Sequence, residues 1–161
     1  MVAFRAMTPA EYESWRSASI SNYAEENIVS GRWSREEAES SSEREFADLL
    51  PDGLATRGSF LYSIVDERST DRVGMIWYAV RRESGRDYVF IYDFQIFASY
   101  RRKGYGTEAI LHLDGVVGAM GLSQISLHVF AHNGAARDLY GKVGYEEKDI
   151  IMSKQLPKLP T

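Results

Sequence analysis

The chain has 161 residues, of which 44% are hydrophobic and 26% charged, so it is long enough to form one globular domain over residues 1–161 with a substantial core. Its net charge of -4 excludes the basic surplus that nucleic-acid-binding proteins normally carry. Because the chain has no cysteine, disulfides, thiolate metal sites and a cysteine nucleophile are also excluded.

The first half of the chain predicts a strand, two helices and two further strands. Val2 to Ala6 is the first strand, and Thr8-Pro9-Ala10-Glu11 has the residues of a capping box with proline at the first helical position. Ser34-Arg35-Glu36-Glu37 indicates a second capping box and therefore a second helix. Apolar runs from Phe60 to Asp66 and from Val73 to Arg81 predict two strands joined by a polar turn.

The second half continues with a strand over Tyr88 to Phe97 and a helix that ends at Gly121. A half-buried strand is predicted over Ser123 to Phe130, then a short helix from Asn133 to Gly144 and a last strand over Tyr145 to Leu156. The order is β-α-α-β-β-β-α-β-α-β. Because consecutive strands pair antiparallel and helical crossovers join parallel strands, we expect an α/β fold with a mixed, mostly antiparallel sheet.

A cationic glycine turn lies between the third of these consecutive strands and the helix that follows. Its sequence is Arg101-Arg102-Lys103-Gly104-Tyr105-Gly106. The first turn of a helix has backbone N–H groups without partners and about half a positive charge from the helix dipole. Glycines allow a ligand to approach the backbone, and the three cations add full charges. The turn therefore predicts an anion site, most often used for phosphate.

Two motifs identify the chain as similar to a known family. The turn resembles the R/Q-x-x-G-x-G/A motif of the GNAT superfamily of acyl-CoA N-acyltransferases. Downstream, the segment from Asn133 to Tyr145 resembles that family's N-x-x-A-x-x-L-Y-x-x-x-G-F/Y block. The runs Ile91-Tyr92-Asp93-Phe94 and Leu127 to Asn133 look most like small bacterial YycN-like members. The resemblance covers nearly the whole chain and implies a GNAT-like fold.

The resemblance also implies how acetyl-CoA would bind as the acyl-donor co-substrate. Two central strands would splay apart, with a bulge near Asp93 to Ile96, and the pantetheine arm would lie in the gap. Backbone N–H groups from Arg102 to Thr107 would hold the pyrophosphate, and the N–H of Ile96 would polarise the thioester carbonyl. The implied cofactor-binding residues are Phe94, Ile96, Phe97, Arg101, Arg102, Lys103, Gly104, Tyr105, Gly106, Thr107, Asn133, Ala136 and Tyr140.

Amine acetylation needs a proton acceptor for the amine and a proton donor for the departing thiolate. The resemblance assigns the donor role to Tyr140, although a tyrosine beside Leu139 could equally be a core residue with a bonded hydroxyl. Asp93 is the acid within an otherwise apolar strand and is the candidate base. Many GNAT proteins carry a Glu-Asp pair here, whereas this chain has Tyr92-Asp93. A water chain and His128 are therefore alternative bases, and Asp93 could instead bond backbone at the bulge.

Other functions are less well supported by the sequence. Gly104 to Ala109 fits a loose dinucleotide fingerprint, but the acid expected about 20 residues later is missing. A non-catalytic module that binds acyl-CoA or regulates a partner remains the main alternative. The histidines, including His128 and His132 at a strand end, do not predict a metal site.

We therefore expect an acetyl-CoA-dependent N-acetyltransferase whose acceptor is a small-molecule amine or a peptide amine, with no nucleic-acid or membrane partner. Apolar runs of membrane-spanning length and a signal-peptide core are both missing, so a cytoplasmic protein is expected. The sequence leaves open the identity of the amine and whether the protein forms a homodimer.

Overall fold

A five-stranded sheet and four helices make up the computed structural model, which describes residues 1–160. The strands are β1 (Val2–Ala6), β2 (Ser59–Asp66), β3 (Arg72–Glu83), β4 (Arg86–Ile96) and β5 (Ile125–Leu127). The helices are α1 (Pro9–Val29), α2 (Ala38–Leu49), α3 (Tyr105–Ala119) and α4 (Gly134–Lys142), with short 3-10 turns at Gly53–Ala55 and Ala98–Tyr100. The strands lie in chain order, and all neighbours pair antiparallel except β4 and β5, which are parallel. The predicted α/β fold class is confirmed.

Each face of the sheet carries its own hydrophobic core, because side chains alternate between the faces along a strand. On one face, Ile76 and Tyr78 of β3 pack with the buried side of α3, and α4 covers the edge of this core. On the other face, Met75 and Trp77 of β3 pack against aromatic residues of α1 and α2, among them Trp15. Strand β4 therefore lies between two helical layers that approach it from opposite sides.

The predicted capping box at Thr8 begins α1. The Thr8 side chain accepts from the backbone N–H of Glu11, and the Glu11 side chain accepts from the N–H of Thr8. Glu11 also accepts hydrogen bonds at 2.7 Å from Arg5 of β1 and from Ser63 of β2. Burial acts to raise the pKa of Glu11, but these donors and the charge of Arg72 outweigh it and lower the pKa to about 2. Glu11 thus joins the start of α1 to two strands.

Replacing Glu11 with glutamine is expected to lower the free energy of unfolding by about 2 kcal/mol at pH 7. The pKa of Glu11 is about 2 in the folded state against 4.5 as its ordinary value, so its contribution is complete above pH 4.5 and declines as the pH falls towards 2. Denaturant titrations at pH 7 and pH 3 measure this difference, with Glu13→Gln on the exposed side of α1 as the control. Equal losses at both pH values would contradict the prediction.

Strand β4 has a bulge at Tyr92. Asp93 lies opposite Trp77 and Ile91 opposite Tyr78, so Tyr92 has no partner in the ladder with β3. The bulge lies one residue before the stretch in which the resemblance placed it. On its other side β4 pairs with β5 only from Val89 to Ile91, and the rest of β4 has an open edge. The two central strands therefore separate immediately before Asp93, as expected.

Three predicted elements differ from the structure. The segment from Tyr145 to Pro160 forms neither helix nor strand, so the predicted last strand is wrong. Strand β5, which would have been its neighbour, has only three residues instead of the predicted Ser123 to Phe130, and Tyr145 is followed by four charged residues of low strand propensity. The second helix begins at Ala38 with no side-chain cap, so the predicted capping box at Ser34 does not form. None of the helices within residues 1–160 is long and apolar enough to cross a membrane.

Candidate functional site

The cationic glycine turn joins the end of β4 to the start of α3. Arg102 and Gly104 have φ values of 63° and 90°, in the left-handed region, and Gly104 is the residue that precedes the first turn of α3. Glycine adopts this conformation without the strain that a side chain would add. The first N–H groups of α3, from Tyr105 to Thr107, have no acceptor within the helix and form a site of positive potential.

The three cations of the turn differ in their contacts. Arg101 is exposed and its Nε donates to the backbone oxygen of Ile96 at 2.8 Å. The Nζ atom of Lys103 lies 5.7 Å from the ring centre of Tyr100. Arg102 is exposed, and its side chain forms no hydrogen bond or ion pair within residues 1–160. Arg102 can therefore neutralise an anion at the helix terminus without breaking an existing contact.

Close packing fixes the start of α3 against β4 and α4. A Cβ atom on Gly106 would lie 3.3 Å from Leu139 of α4 and 3.8 Å from Ile96 of β4. The hydroxyl of Tyr105 donates to Asp66 at 2.7 Å, which ties the same turn to the end of β2. The helix terminus is therefore held in a constant position relative to the open edge of β4.

The open edge of β4 presents unpaired backbone groups. The N–H of Phe97 donates to Val73 of β3 at 2.9 Å, and its carbonyl accepts from Tyr100 at 2.8 Å. Because successive N–H groups of a strand point to opposite edges, those of Ile96 and Phe94 point away from β3, towards the gap left by β5. The N–H groups of Phe94 and Ile96 can therefore bond a ligand in the gap, although the carbonyl of Ile96 already accepts from Arg101. The backbone of Phe97, assigned the same role above, is already paired.

Asp93 is half-buried on the α1 side of β4, immediately after the bulge. Its Oδ2 accepts from the indole Nε1 of Trp15 at 2.8 Å and from the hydroxyl of Ser19 at 3.3 Å. Burial raises the pKa of Asp93, and hydrogen bonds from Trp15 and Ser19, with smaller ones from the Phe94 backbone and the Gln95 side chain, only partly oppose this effect. A carboxylate with a raised pKa is better matched to accepting a proton at neutral pH than an exposed one.

Tyr140 lies on α4, on the opposite face of β4. Its ring centre is 6.5 Å from that of Phe94 and 5.4 Å from that of Tyr145. Burial, and after it the negative charge of Asp93, raise the pKa of the phenol above its ordinary value, so it stays protonated at neutral pH. Its hydroxyl makes no hydrogen bond to any group in residues 1–160. A core tyrosine with a bonded hydroxyl, the alternative considered above, does not describe this arrangement.

Asn133 forms the cap of α4, since its Oδ1 accepts from the backbone N–H of Ala136 at 3.2 Å. This contact leaves the amide Nδ2 group of Asn133 free to donate. Both residues lie at the end of α4 that follows β5, where the chain leaves the gap between β4 and β5. They therefore lie at the start of α4, the helix whose Leu139 contacts the glycine turn.

The histidines take no part in a metal-binding cluster. No group of three or more His, Cys, Asp or Glu side chains in the described chain, residues 1–160, could hold a metal ion. The ring centre of His112 lies 4.6 Å from that of Phe4, and the ring centre of the exposed His128 lies 5.0 Å from that of Phe130. His132 contacts Glu26 of α1.

The two donors that hold Asp93 carry no sequence motif and were not predicted. Trp15 and Ser19 are four residues apart, a spacing that places them on one side of α1. This spacing can be read from the sequence, but it does not predict which strand that side of α1 packs against. Arg72 was also missed, because a lone arginine at the start of a strand has no motif around it.

Comparisons with known proteins agree with these features. The sequence model of the acetyltransferase (GNAT) family matches residues 22–145. YycN of Bacillus subtilis (strain 168), an uncharacterized N-acetyltransferase, is 41% identical over 151 residues, which cover 93% of this chain and 96% of YycN. YdgE of the same strain, also an uncharacterized N-acetyltransferase, is 35% identical over 150 residues, with 93% and 95% covered. The crystal structure of YycN matches with a TM-score of 0.92 at 38% identity, covering 98% of this chain and all of that one.

Proposed function

Because this chain belongs to the acetyltransferase (GNAT) family and is a YycN-like member of it, we propose that it transfers the acetyl group of acetyl-CoA to a primary amine. The amine would attack the thioester directly while both substrates are bound. The observation that carries the proposal is that a candidate proton acceptor and a candidate proton donor lie on opposite faces of β4, beside its open edge. Asp93 on one face can take a proton, and the unpartnered hydroxyl of Tyr140 on the other can give one.

The residues at the open edge fit acetyl-CoA. The first N–H groups of α3, together with Arg102, would bind the pyrophosphate, as helix termini bind other phosphates. The backbone of Phe94 and Ile96 would bond the pantetheine arm as a missing strand would. The N–H of Ile96 would then face the thioester oxygen and stabilise the negative charge that develops there. Asn133 would donate its free amide to the same arm.

The proton balance assigns one role to each face of β4. As the amine nitrogen bonds to the carbonyl carbon, Asp93 would accept the proton that the nitrogen loses. As the carbon–sulfur bond breaks, Tyr140 would protonate the departing thiolate of CoA. An alkyl ammonium has a pKa of about 10.4, so a base is needed at neutral pH, whereas a thiol pKa of about 8.5 makes the thiolate an adequate leaving group. The acetyl group never bonds to the protein.

Replacing Asp93 with asparagine is expected to lower kcat/KM for the amine by about tenfold while raising the melting temperature at pH 7. Because burial raises the pKa of Asp93, the ionised carboxylate opposes folding, and this penalty develops as the pH rises above the unfolded pKa of about 3.9. Asparagine carries no charge and can still accept from Trp15. The melting temperatures of the wild type and of Asp93→Asn should differ at pH 7 and agree at pH 3.5. A wild-type kcat/KM in Asp93→Asn would show that Asp93 is not the base.

Release of free thiol from acetyl-CoA, measured across a panel of primary amines, tests the proposed function. Amine-dependent release is the expected result, and mass spectrometry of the product should show one added acetyl group. Binding of acetyl-CoA without release from any amine would contradict the proposal and would indicate a non-catalytic acyl-CoA-binding module. The panel should include small amines and lysine peptides, since the proposal itself does not name the acceptor.

A further inference from the structure

A cavity of about 140 Å³ lies on the α1 face of the sheet, beside the last residues of β4. Its polar lining comes from Ser14 and Asn22 of α1, Arg72 of β3 and Gln95 of β4. Trp15 also lines this cavity, and the same side chain donates to Asp93. The cavity is therefore next to the candidate base but is separate from the gap between β4 and β5.

Arg72 is the charged group of the cavity. Its side chain is 28% exposed, its Nε donates to Ser63 at 2.7 Å, and the guanidinium carbon lies 4.9 Å from the ring centre of Phe97. Within residues 1–160, its two terminal nitrogens form no hydrogen bond. A partly buried guanidinium with two free nitrogens, packed beside an aromatic ring, matches the two oxygens of a carboxylate.

The charges around Arg72 leave its own end of the cavity positive. Glu11 is the acidic partner of Arg72, at 3.8 Å, but it also pairs with Arg5 at 2.7 Å. Two guanidinium groups thus share one carboxylate, and the cluster keeps a net charge of about +1 at neutral pH. An anionic group in the cavity would complete the pairing of Arg72.

The distance between Arg72 and Asp93 restricts what an acceptor can be. The guanidinium carbon lies 4.9 Å from the ring centre of Phe97, which is four residues after Asp93 in the chain, and four residues of extended chain correspond to about 13 Å. A free α-amino acid cannot span this distance, because its amine and carboxylate are attached to the same carbon. An acceptor that used both groups would need a long chain between its amine and its anionic end.

On the premise of the proposed function, we infer that Arg72 binds the carboxylate of the acceptor, which is an extended ω-amino carboxylate. Its amine would lie about 3 Å from the Asp93 carboxylate, and its carboxylate would lie in the cavity about 10 Å further towards Phe97, near Ser14 and Asn22. The chain between the two would pass over Trp15. Arg72 is then a specificity-determining residue for the acceptor rather than a participant in acetyl transfer.

Acetyl-CoA turnover with ω-amino carboxylates from 4-aminobutyrate to 10-aminodecanoate, each compared with its ω-amino amide, tests the inference. The wild-type protein should prefer 8-aminooctanoate to its amide by about tenfold in kcat/KM, and shorter members should lose this preference. In Arg72→Gln the ratio of carboxylate to amide should fall to about one, through a higher KM, and Arg72→Lys should restore part of it. Arg57→Gln, an exposed arginine away from the cavity, is the matched control.

The outcomes separate this inference from the proposed function. Equal turnover of carboxylates and amides by the wild-type protein would overturn the inference and leave amine acetylation intact. If no amine were acetylated, that result would contradict the proposed function, and the inference would have to be tested by binding. Calorimetric titration with 8-acetamidooctanoate needs no turnover and decides the inference in that case. Binding about tenfold tighter to the wild type than to Arg72→Gln supports it, and equal or undetectable binding overturns it.

Discussion

Replacing Tyr140 with phenylalanine is expected to lower kcat by about 100-fold while the Kd for CoA stays within about twofold. The substitution removes one oxygen atom, and in the described chain that oxygen bonds no other group. The ring contacts with Phe94 and Tyr145, at 6.5 and 5.4 Å, do not involve the hydroxyl. The variant should therefore fold and bind normally but lack the proton for the departing thiolate. Steady-state thiol release and a CoA binding titration measure the two effects.

Tyr145→Phe is the matched control for this experiment. The Tyr145 hydroxyl is buried and has no hydrogen-bond partner in residues 1–160. Its removal should stabilise the fold by about 1 kcal/mol and leave kcat nearly unchanged, because the ring stays in place. A wild-type rate in Tyr140→Phe, or an equal loss in both variants, would refute the role of Tyr140 as acid.

Replacing Gly74 with alanine is expected to lower the free energy of unfolding by at least about 3 kcal/mol and to abolish acetyl-CoA binding. Gly74 of β3 lies opposite Ile96, and a Cβ atom there would be 2.3 Å from the carbonyl oxygen of Gln95. That oxygen belongs to the backbone and cannot rotate away. The end of β4 would have to move, and this end carries the N–H groups assigned to the pantetheine arm.

Gly118→Ala provides the comparison for Gly74→Ala. Gly118 lies on the exposed side of α3, and a Cβ atom there would have no neighbour within 4 Å. Because alanine favours a helix over glycine, this variant should be more stable by about 0.5–1 kcal/mol. Chemical denaturation and calorimetric binding of CoA compare the two. A Gly74→Ala protein with wild-type stability would show that β4 moves at little cost.

The order of elements was predictable because local signals marked most boundaries. The capping box at Thr8 gave the start of α1, and the glycine turn before Tyr105 gave the start of α3. The last predicted strand failed for a non-local reason. Residues from Tyr145 have strand-like apolar positions, but a strand also needs a neighbour, and β5 offers only three residues. The residues of a segment do not determine whether a neighbouring strand is available to pair with it.

The candidate site was predictable to the extent that it follows a contiguous motif. The turn, Asn133 and Tyr140 lie in two such motifs, which is why the resemblance could place them. The environment of Asp93 could not be derived in the same way. Trp15 is 78 residues away in the chain, and its hydrogen bond to Asp93 exists only because α1 packs across β4. Long-range contacts of this kind decide pKa values and pocket shape.

The hydrogen bond from Trp15 to Asp93 also bears on how such enzymes diversify. Trp15 and Ser19 hold the carboxyl group, and Trp15 also lines the neighbouring cavity, whereas Ser14, Ala18 and Asn22 of the same helix line the cavity without contacting Asp93. Substitutions at the second set can alter the shape and polarity of the cavity without touching the first. Under the proposed roles, one helix carries both residues that shape the acceptor cavity and residues that hold the candidate base, and duplicated genes can change Ser14, Ala18 and Asn22 while retaining Trp15 and Ser19.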